Sequence, residues 1–348
     1  MNVNINIPIK VPGIKKLVDY VASGIGSIAG PMLATWQARR EAEAKEIAAK
    51  GDAKKLKIMA EGQAGALQII ADAQADARRK LECSDMAIQG ELTMAEMVEQ
   101  RIQFQEEKRL RNIKSVVRLA AEELECKEVP DHEPDHDLMA RFFNDVQDVS
   151  SEELQKLWAK VLSGEVEKPG TTSIRSLSIL RNLDQNTARL FRKFCSVCVS
   201  VRMPDENQFI DTRVPSLNGN AAQNSLKEYG LNFDALNILN EHGLIISDYD
   251  SWFDYNMCIK LYSFEPTKDI WCIPFSFQKR YWVLLPTTKR AVDQKFQLTG
   301  VALTRSAREL SRIVDIESMN EYAQALENFF KSHNLQMIEI DNGEPQLA

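Results

Sequence analysis

The sequence predicts a mainly α protein: a long N-terminal helix with an eleven-residue repeat, a helical central module and a small α+β, winged-helix-like C-terminal module. Three observations carry this reading. Between Pro31 and Pro130 there is no proline, and residues 38–115 are dominated by Ala, Glu, Lys, Gln and Arg, a strong helix composition. Apolar residues before and after this stretch recur at three- and four-residue steps. Short β-like runs gather only beyond residue 250. The expected divisions are 1–40, 41–125, 126–202 and 203–348.

In the first division, Pro8 and Pro12 keep residues 1–13 extended. Ile14, Leu17, Val18, Val21, Ile25, Ile28, Met32 and Trp36 then fall on one helical face. From Tyr20 to Ala38 no residue is charged, a run of 19 that just reaches bilayer-spanning length, but Gly24, Gly26, Gly30 and Pro31 weaken it. Lys15 and Lys16 on one side, with Arg39 and Arg40 on the other, suit an anionic membrane surface. Three uses of the face stand open: burial between subunits or against another domain, membrane contact without spanning, and a true span.

The second division carries the repeat. KEIAAKGDAKK (45–55), LKIMAEGQAGA (56–66) and LQIIADAQADA (67–77) align without gaps, and Trp36, Ile47, Ile58 and Ile69 stand eleven apart. Eleven residues in three turns, about 3.67 per turn, give a nearly straight stripe with slight right-handed supercoiling. A lone solvated helix gains nothing from Ile47, Leu56, Met59, Leu67 and Ile70 on its flank. Lateral self-association as a coiled coil, or folding back near Gly90, uses them. The expected oligomer interface is Trp36, Ile47, Leu56, Ile58, Met59, Leu67, Ile69 and Ile70.

Pro130 and Pro134 break the helix in an acidic linker, and DLMARFFNDVQDV (137–149) restarts it. Ser150 or Ser151 caps EELQKLWAKVLSGE, with Glu153 at capping-box spacing from Ser150. Thr172 or Ser173 caps SIRSLSILRNL, and Asp184 caps QNTARLFRKFCSVCV. Glu165 and Arg175 flank the intervening turn, where they are placed to pair. Further on, FDALNILNEHGLI (233–245) reads as a helix ended by glycine. MCIKLYSF, DIWCIPFSF and RYWVLLP read as strands of a wing, before FQLTGVALTRSARELSRIV turns from strand to helix. Arg280, Lys289, Arg290 and Arg305, with Tyr281 and Trp282 among them, are the expected nucleic-acid contacts if this module binds nucleic acid.

Charge and composition narrow the function. The chain has 348 residues, 44% hydrophobic and 27% charged, values of a folded protein. Its net charge of −7 conceals a basic start, twelve acids against two bases over 120–153, and ten bases against four acids over 260–312. Six irregularly spaced cysteines point to a reducing cytoplasm rather than a disulfide scaffold. The start MNVNINIPIKVPG shows no basic region leading into an A-x-A site, so no cleaved leader is expected. Cys195 and Cys198 lack a second pair at zinc-site spacing, and His132 and His136 straddle a proline, so neither pair is read as a metal site. No G-x-S-x-G, H-E-x-x-H or phosphate-cradling glycine loop occurs. The expectation is a protein with no catalytic residues, no metal and no cofactor.

The segment FFNDVQDVSSEELQKLWAKVLSGEVEKPGTTSIRSLSILRNLDQNTARLFRKF resembles an uncharacterised bacterial domain-of-unknown-function family, and more distantly the abortive-infection alpha family. The resemblance covers roughly residues 15–335 and includes Arg111-Asn112-Ile113 and ALNILNEHGLI. It implies a phage-defence setting and supplies no catalytic residues. The expected protein is thus a non-enzymatic, oligomeric phage-defence effector acting through assembly. Its partners are further copies of itself and an anionic membrane, from the cytoplasm or the inner face of the cytoplasmic membrane. The alternative is a nucleic-acid-binding sensor or regulator using the basic C-terminal module.

Overall fold

The computed structural model describes residues 12–26, 93–125, 127, 129–202, 209–258, 260–265, 268–287 and 296–340. The first helix, α1 (Pro12–Ile25), starts on a proline, whose missing N–H is no loss there, and Gly26 ends it at φ +73°. Its apolar face, Ile14, Leu17, Tyr20 and Val21, is buried. A Cβ at Gly24 would sit 2.1 Å from the Phe143 ring, so only glycine permits this approach.

The next described helix, α2 (Met94–Leu124), starts with a capping box. The Thr93 hydroxyl accepts from the Glu96 N–H at 3.3 Å, and the Glu96 carboxylate accepts from the Thr93 N–H at 2.8 Å. Three shorter helices complete the central bundle: α3 (His136–Val146), α4 (Glu152–Glu167) and α5 (Ile174–Arg181). The fourth that follows, α6 (Gln185–Ser196), leads into the sheet. Asp135, Ser173 and Asp184 cap three of these with side-chain hydrogen bonds. The Ser150–Glu153 box does not form: the N-cap of α4 is Ser151, and the Ser150 hydroxyl accepts from Asn112 instead. In the bundle, α1 packs mainly on α3 and α2 mainly on α4. Phe142 meets Trp158 edge to face at 5.2 Å.

The strands are β1 (Val199–Arg202), β2 (Phe209–Pro215), β3 (Trp252–Asp254), β4 (Lys260–Glu265), β5 (Lys268–Phe277), β6 (Arg280–Pro286), β7 (Gln297–Ala302) and β8 (Leu335–Ile340). All pairs are antiparallel, in the order β3-β7-β2-β1-β5-β6-β8, with β4 also on β5. Helices α7 (Phe233–Glu241), α8 (Arg305–Ser311) and α9 (Asn320–Ser332) complete the chain order. The Tyr322 hydroxyl of α9 donates to the Pro215 carbonyl at 2.9 Å, and the Phe330 ring lies 5.8 Å from that of Phe275. One continuous hydrophobic core joins bundle and sheet.

The expected fold class is corrected. The C-terminal half is not a small winged-helix-like module in a mainly α protein, because an eight-stranded antiparallel sheet organises it. The β5–β6 hairpin read as a wing has β1 on one side and β8 on the other, so it lies inside the sheet instead of projecting from helices. Of 41–125, residues 41–92 lie outside the described residues, and Met94–Leu124 is a helix with its own start. Thr93 is extended (φ −62°, ψ 156°), and its capping box marks a fresh start.

Candidate assembly surface

The first buried side chain of α2 is Asn112. Every residue from Thr93 to Lys108 is exposed, so the N-terminal half of α2 stands out from the bundle as a stem of about 25 Å. Where the stem leaves the bundle it is clamped. Asn112 Nδ2 donates to the Gln147 carbonyl at 2.8 Å, while Gln155 Nε2 donates to the Val149 carbonyl at 2.8 Å and to Asn112 Oδ1 at 3.4 Å. Arg109 adds bonds to Glu106 and Asp148.

A stem in water should be polar all round, and this one is not. Met94 is 74% exposed and Ile102 55%; with Val98 they stand four residues apart and share one face. Together with Ala95, Glu99 and Gln103 they line a shallow groove. Met97 and Phe104, seven apart, form a second apolar face about a hundred degrees round the helix. Glu99 and Glu106 edge the first face on one side, Arg101 and Lys108 on the other.

The residues singled out in the sequence fall into three groups. Trp36, Ile47, Leu56, Ile58, Met59, Leu67, Ile69 and Ile70 lie outside the described residues, as do Ile28, Met32, Lys289 and Arg290. Ile14, Leu17 and Val21 are buried in the protein's own core, with Val18 and Ile25 packed beside them, so no membrane face remains there. Among the described residues no helix is long and apolar enough to cross a membrane. Arg280 bonds the Glu339 carboxylate at 2.9 Å and lies 5.4 Å from the Trp282 ring centre. Arg305 is exposed, 3.8 Å from Glu309. The stem itself was missed as a separate surface, although a signal existed: the eleven-residue step from Ile69 lands three periods later on Ile102, then on Ile113 and Leu124. The last two are buried against the bundle.

A family model described as a protein of unknown function, DUF2806, matches residues 96–327. The chain belongs to the DUF2806 family. No curated protein and no solved structure matches it significantly. The DUF2806 span begins within the first turn of the stem and runs through the bundle and most of the sheet.

Inside that span, Asp211, Arg213 and Glu309, missed in the sequence, and Glu165, singled out there, are tied to structural partners. Arg213 grips Asp211 through two bonds, of 2.6 and 2.9 Å, and also donates to the Ser251 and Leu298 carbonyls. The Tyr255 hydroxyl adds a bond to Asp211 at 3.3 Å. Glu165 accepts from the Gly170 and Thr172 N–H groups and from the Thr171 hydroxyl, so it braces the α4–α5 turn alone and does not pair with Arg175. Glu309 accepts from the Ser173 N–H and the Ser176 hydroxyl. Carboxylates so engaged brace the turns and strands they bond. Cys195 and Cys198 are buried, and burial pushes both thiols up, away from the nucleophilic thiolate. Among the described residues no cluster of three His, Cys, Asp or Glu is placed to hold a metal ion.

Proposed function

We propose that this DUF2806 chain is a non-catalytic assembly protein whose stem and repeat bring copies together, in a bacterial phage-defence role of the abortive-infection kind. The observation that carries the assembly reading is the stem's two apolar faces in water, Met94–Val98–Ile102 and Met97–Phe104. One neighbouring helix covers one face, so two faces call for two neighbours. Each side chain of this size contributes about 1.5–3 kcal/mol when fully covered. The repeat of residues 36–77 extends the supply of apolar surface. The phage-defence setting rests on the resemblance of residues 142–194 to the abortive-infection alpha family.

Peripheral contact with an anionic membrane falls to Ile28, Met32, Arg39 and Arg40, because Ile14, Leu17 and Val21 are buried. The nucleic-acid alternative leans on Lys289, Arg290 and Arg305, since Arg280 already serves Glu339 and Trp282. Light scattering on the purified chain at micromolar concentration tests the central claim. A mass several times that of one chain is expected, and a monomer overturns it.

A further inference from the structure

We infer that β8 pairs edge to edge with β8 of a second copy of this chain, antiparallel across a twofold axis between the two Ile338 residues, so that two sheets become one. The pairing is read from the sheet and does not use the stem. β8 ends the strand order, and among the described residues no strand pairs with its outer edge. Which backbone groups point outward follows from the ladder. The Thr287 N–H donates to the Asn334 carbonyl at 2.9 Å, and β6 and β8 then run in unbroken register from Pro286–Leu335 to Tyr281–Ile340. Bonded and non-bonded pairs alternate in an antiparallel ladder, so Gln336, Ile338 and Ile340 bond β6, while Leu335, Met337 and Glu339 turn their N–H and C=O groups outward. Pro286, which has no N–H, stands opposite Leu335 and agrees with this phase.

A sheet edge is normally blunted by a short strand, a lysine, a proline or a bulge. At the far end of the sheet β3 is short, with three residues. β8 has six, LQMIEI, and none of these devices. Its one charged residue is already neutralised, because Glu339 bonds Arg280 at 2.9 Å.

Side-chain chemistry names the occupant. Val283 and Cys272 are buried in a small apolar cluster separate from the main core, with Leu285, Ile338 and Ile340 partly buried beside them. Leu335 and Met337 alternate with these along β8 and pack on the main core. The small cluster therefore runs to the edge on one face of the sheet. A second β8 brings outward groups onto outward groups when the axis falls on Met337, Ile338 or Glu339. An axis on Glu339 sets two carboxylates face to face, and one on Met337 puts polar Gln336 over each Ile338. An axis on Ile338 sets Ile338 on its counterpart, merges the two apolar clusters and bonds Met337 to Glu339 of the second copy in both directions.

The test uses the full chain with Ile338→Cys, in a background of Cys83→Ser and Cys126→Ser. Residues facing each other in a non-bonded pair stand about 4.5 Å apart at Cα, within disulfide reach. Oxidised glutathione is expected to join two chains through the introduced thiols. Gln336→Cys in the same background should stay unlinked, since its two thiols would lie about 13 Å apart along the strands. No link at 338, or equal linking at 336, overturns the inference. A second readout needs no cysteine. With Met97→Glu and Phe104→Glu silencing the stem, light scattering should still give twice the mass of one chain, and adding Ile338→Lys should halve it. A monomer before that last change, or a dimer after it, overturns the inference. The unaltered chain separates this pairing from the stem reading: a dimer and nothing larger, linked at 338 in the cysteine variant, sinks the stem reading and leaves this one standing. A larger particle without that link sinks this one alone.

Discussion

Asp211 and Arg213 sit two apart on β2 and are each almost wholly buried. Desolvating both charges is expensive, and the two short bonds with the Tyr255, Ser251 and Leu298 contacts offset it. Arg213→Met leaves a carboxylate in the core with only Tyr255 to bond it. It should destabilise the fold by about 3–5 kcal/mol in urea unfolding. Asp211→Asn with Arg213→Met should cost less than the single change, because no uncompensated charge remains. A second prediction concerns pH. Burial raises the thiols of Cys195 and Cys198 and the hydroxyls of Tyr255 and Tyr322 above their ordinary values. In the unfolded chain thiols ionise near pH 8.5, whereas the folded ones stay protonated. Stability tied to them is therefore fully present below that pH and is lost as pH rises beyond it. Urea midpoints should hold from pH 7 to 8.5 and fall by pH 10; an unchanged midpoint at pH 10 would refute this.

Single elements show how side-chain size sets the packing. α1 reaches α3 because Gly24 presents no side chain to Phe143, and Leu17 and Val21 fill the interface completely. Gly24→Val should lift α1 off the bundle, with amides of residues 12–25 losing protection while the sheet keeps its own. The β5–β6 hairpin turns through Gln278 and Lys279, both left-handed at φ 50° and 58°. That conformation costs a residue with a Cβ about 1 kcal/mol relative to glycine and suits the twist of a two-residue hairpin. Lys279→Gly should accordingly raise stability by up to about 1 kcal/mol in the same denaturation assay. The capped starts at Ser173 and Asp184 were legible because an N-cap is a local event between residues two or three apart. Ser150 misled for the opposite reason: its hydroxyl is claimed by Asn112, 38 residues away.

Across the whole molecule, the core and the proposed assembly surface lie apart. The core that joins bundle and sheet excludes water, whereas among the described residues Met97 and Phe104 of the stem lie exposed outside it. Met97→Glu with Phe104→Glu should hence leave the melting temperature within a degree or two and reduce the mass seen by light scattering. A fall in both would place these residues in the fold instead. The same separation accounts for α1. Its amphipathic pattern reads equally as a membrane face or as a core face, and only the presence of α3 and α4 beside it decides for the core.

What the sequence determined by itself is the set of local events: helix spans, caps, the eleven-residue period, the glycine after α7, and strands rich in aromatic and branched residues between 260 and 286. These follow from periodicity and short-range hydrogen bonding, which residues a few positions apart decide among themselves. Only the tertiary structure decided that β1 and β2 join the later hairpin in one sheet, since Val199–Arg202 is too short to announce a strand without β2 and β5 beside it. Tertiary packing likewise set which apolar stripes are buried. Ile113 and Leu124 share their eleven-residue register with Ile102, and the difference between core and surface is that the bundle covers α2 from Asn112 onward and leaves the stem in water.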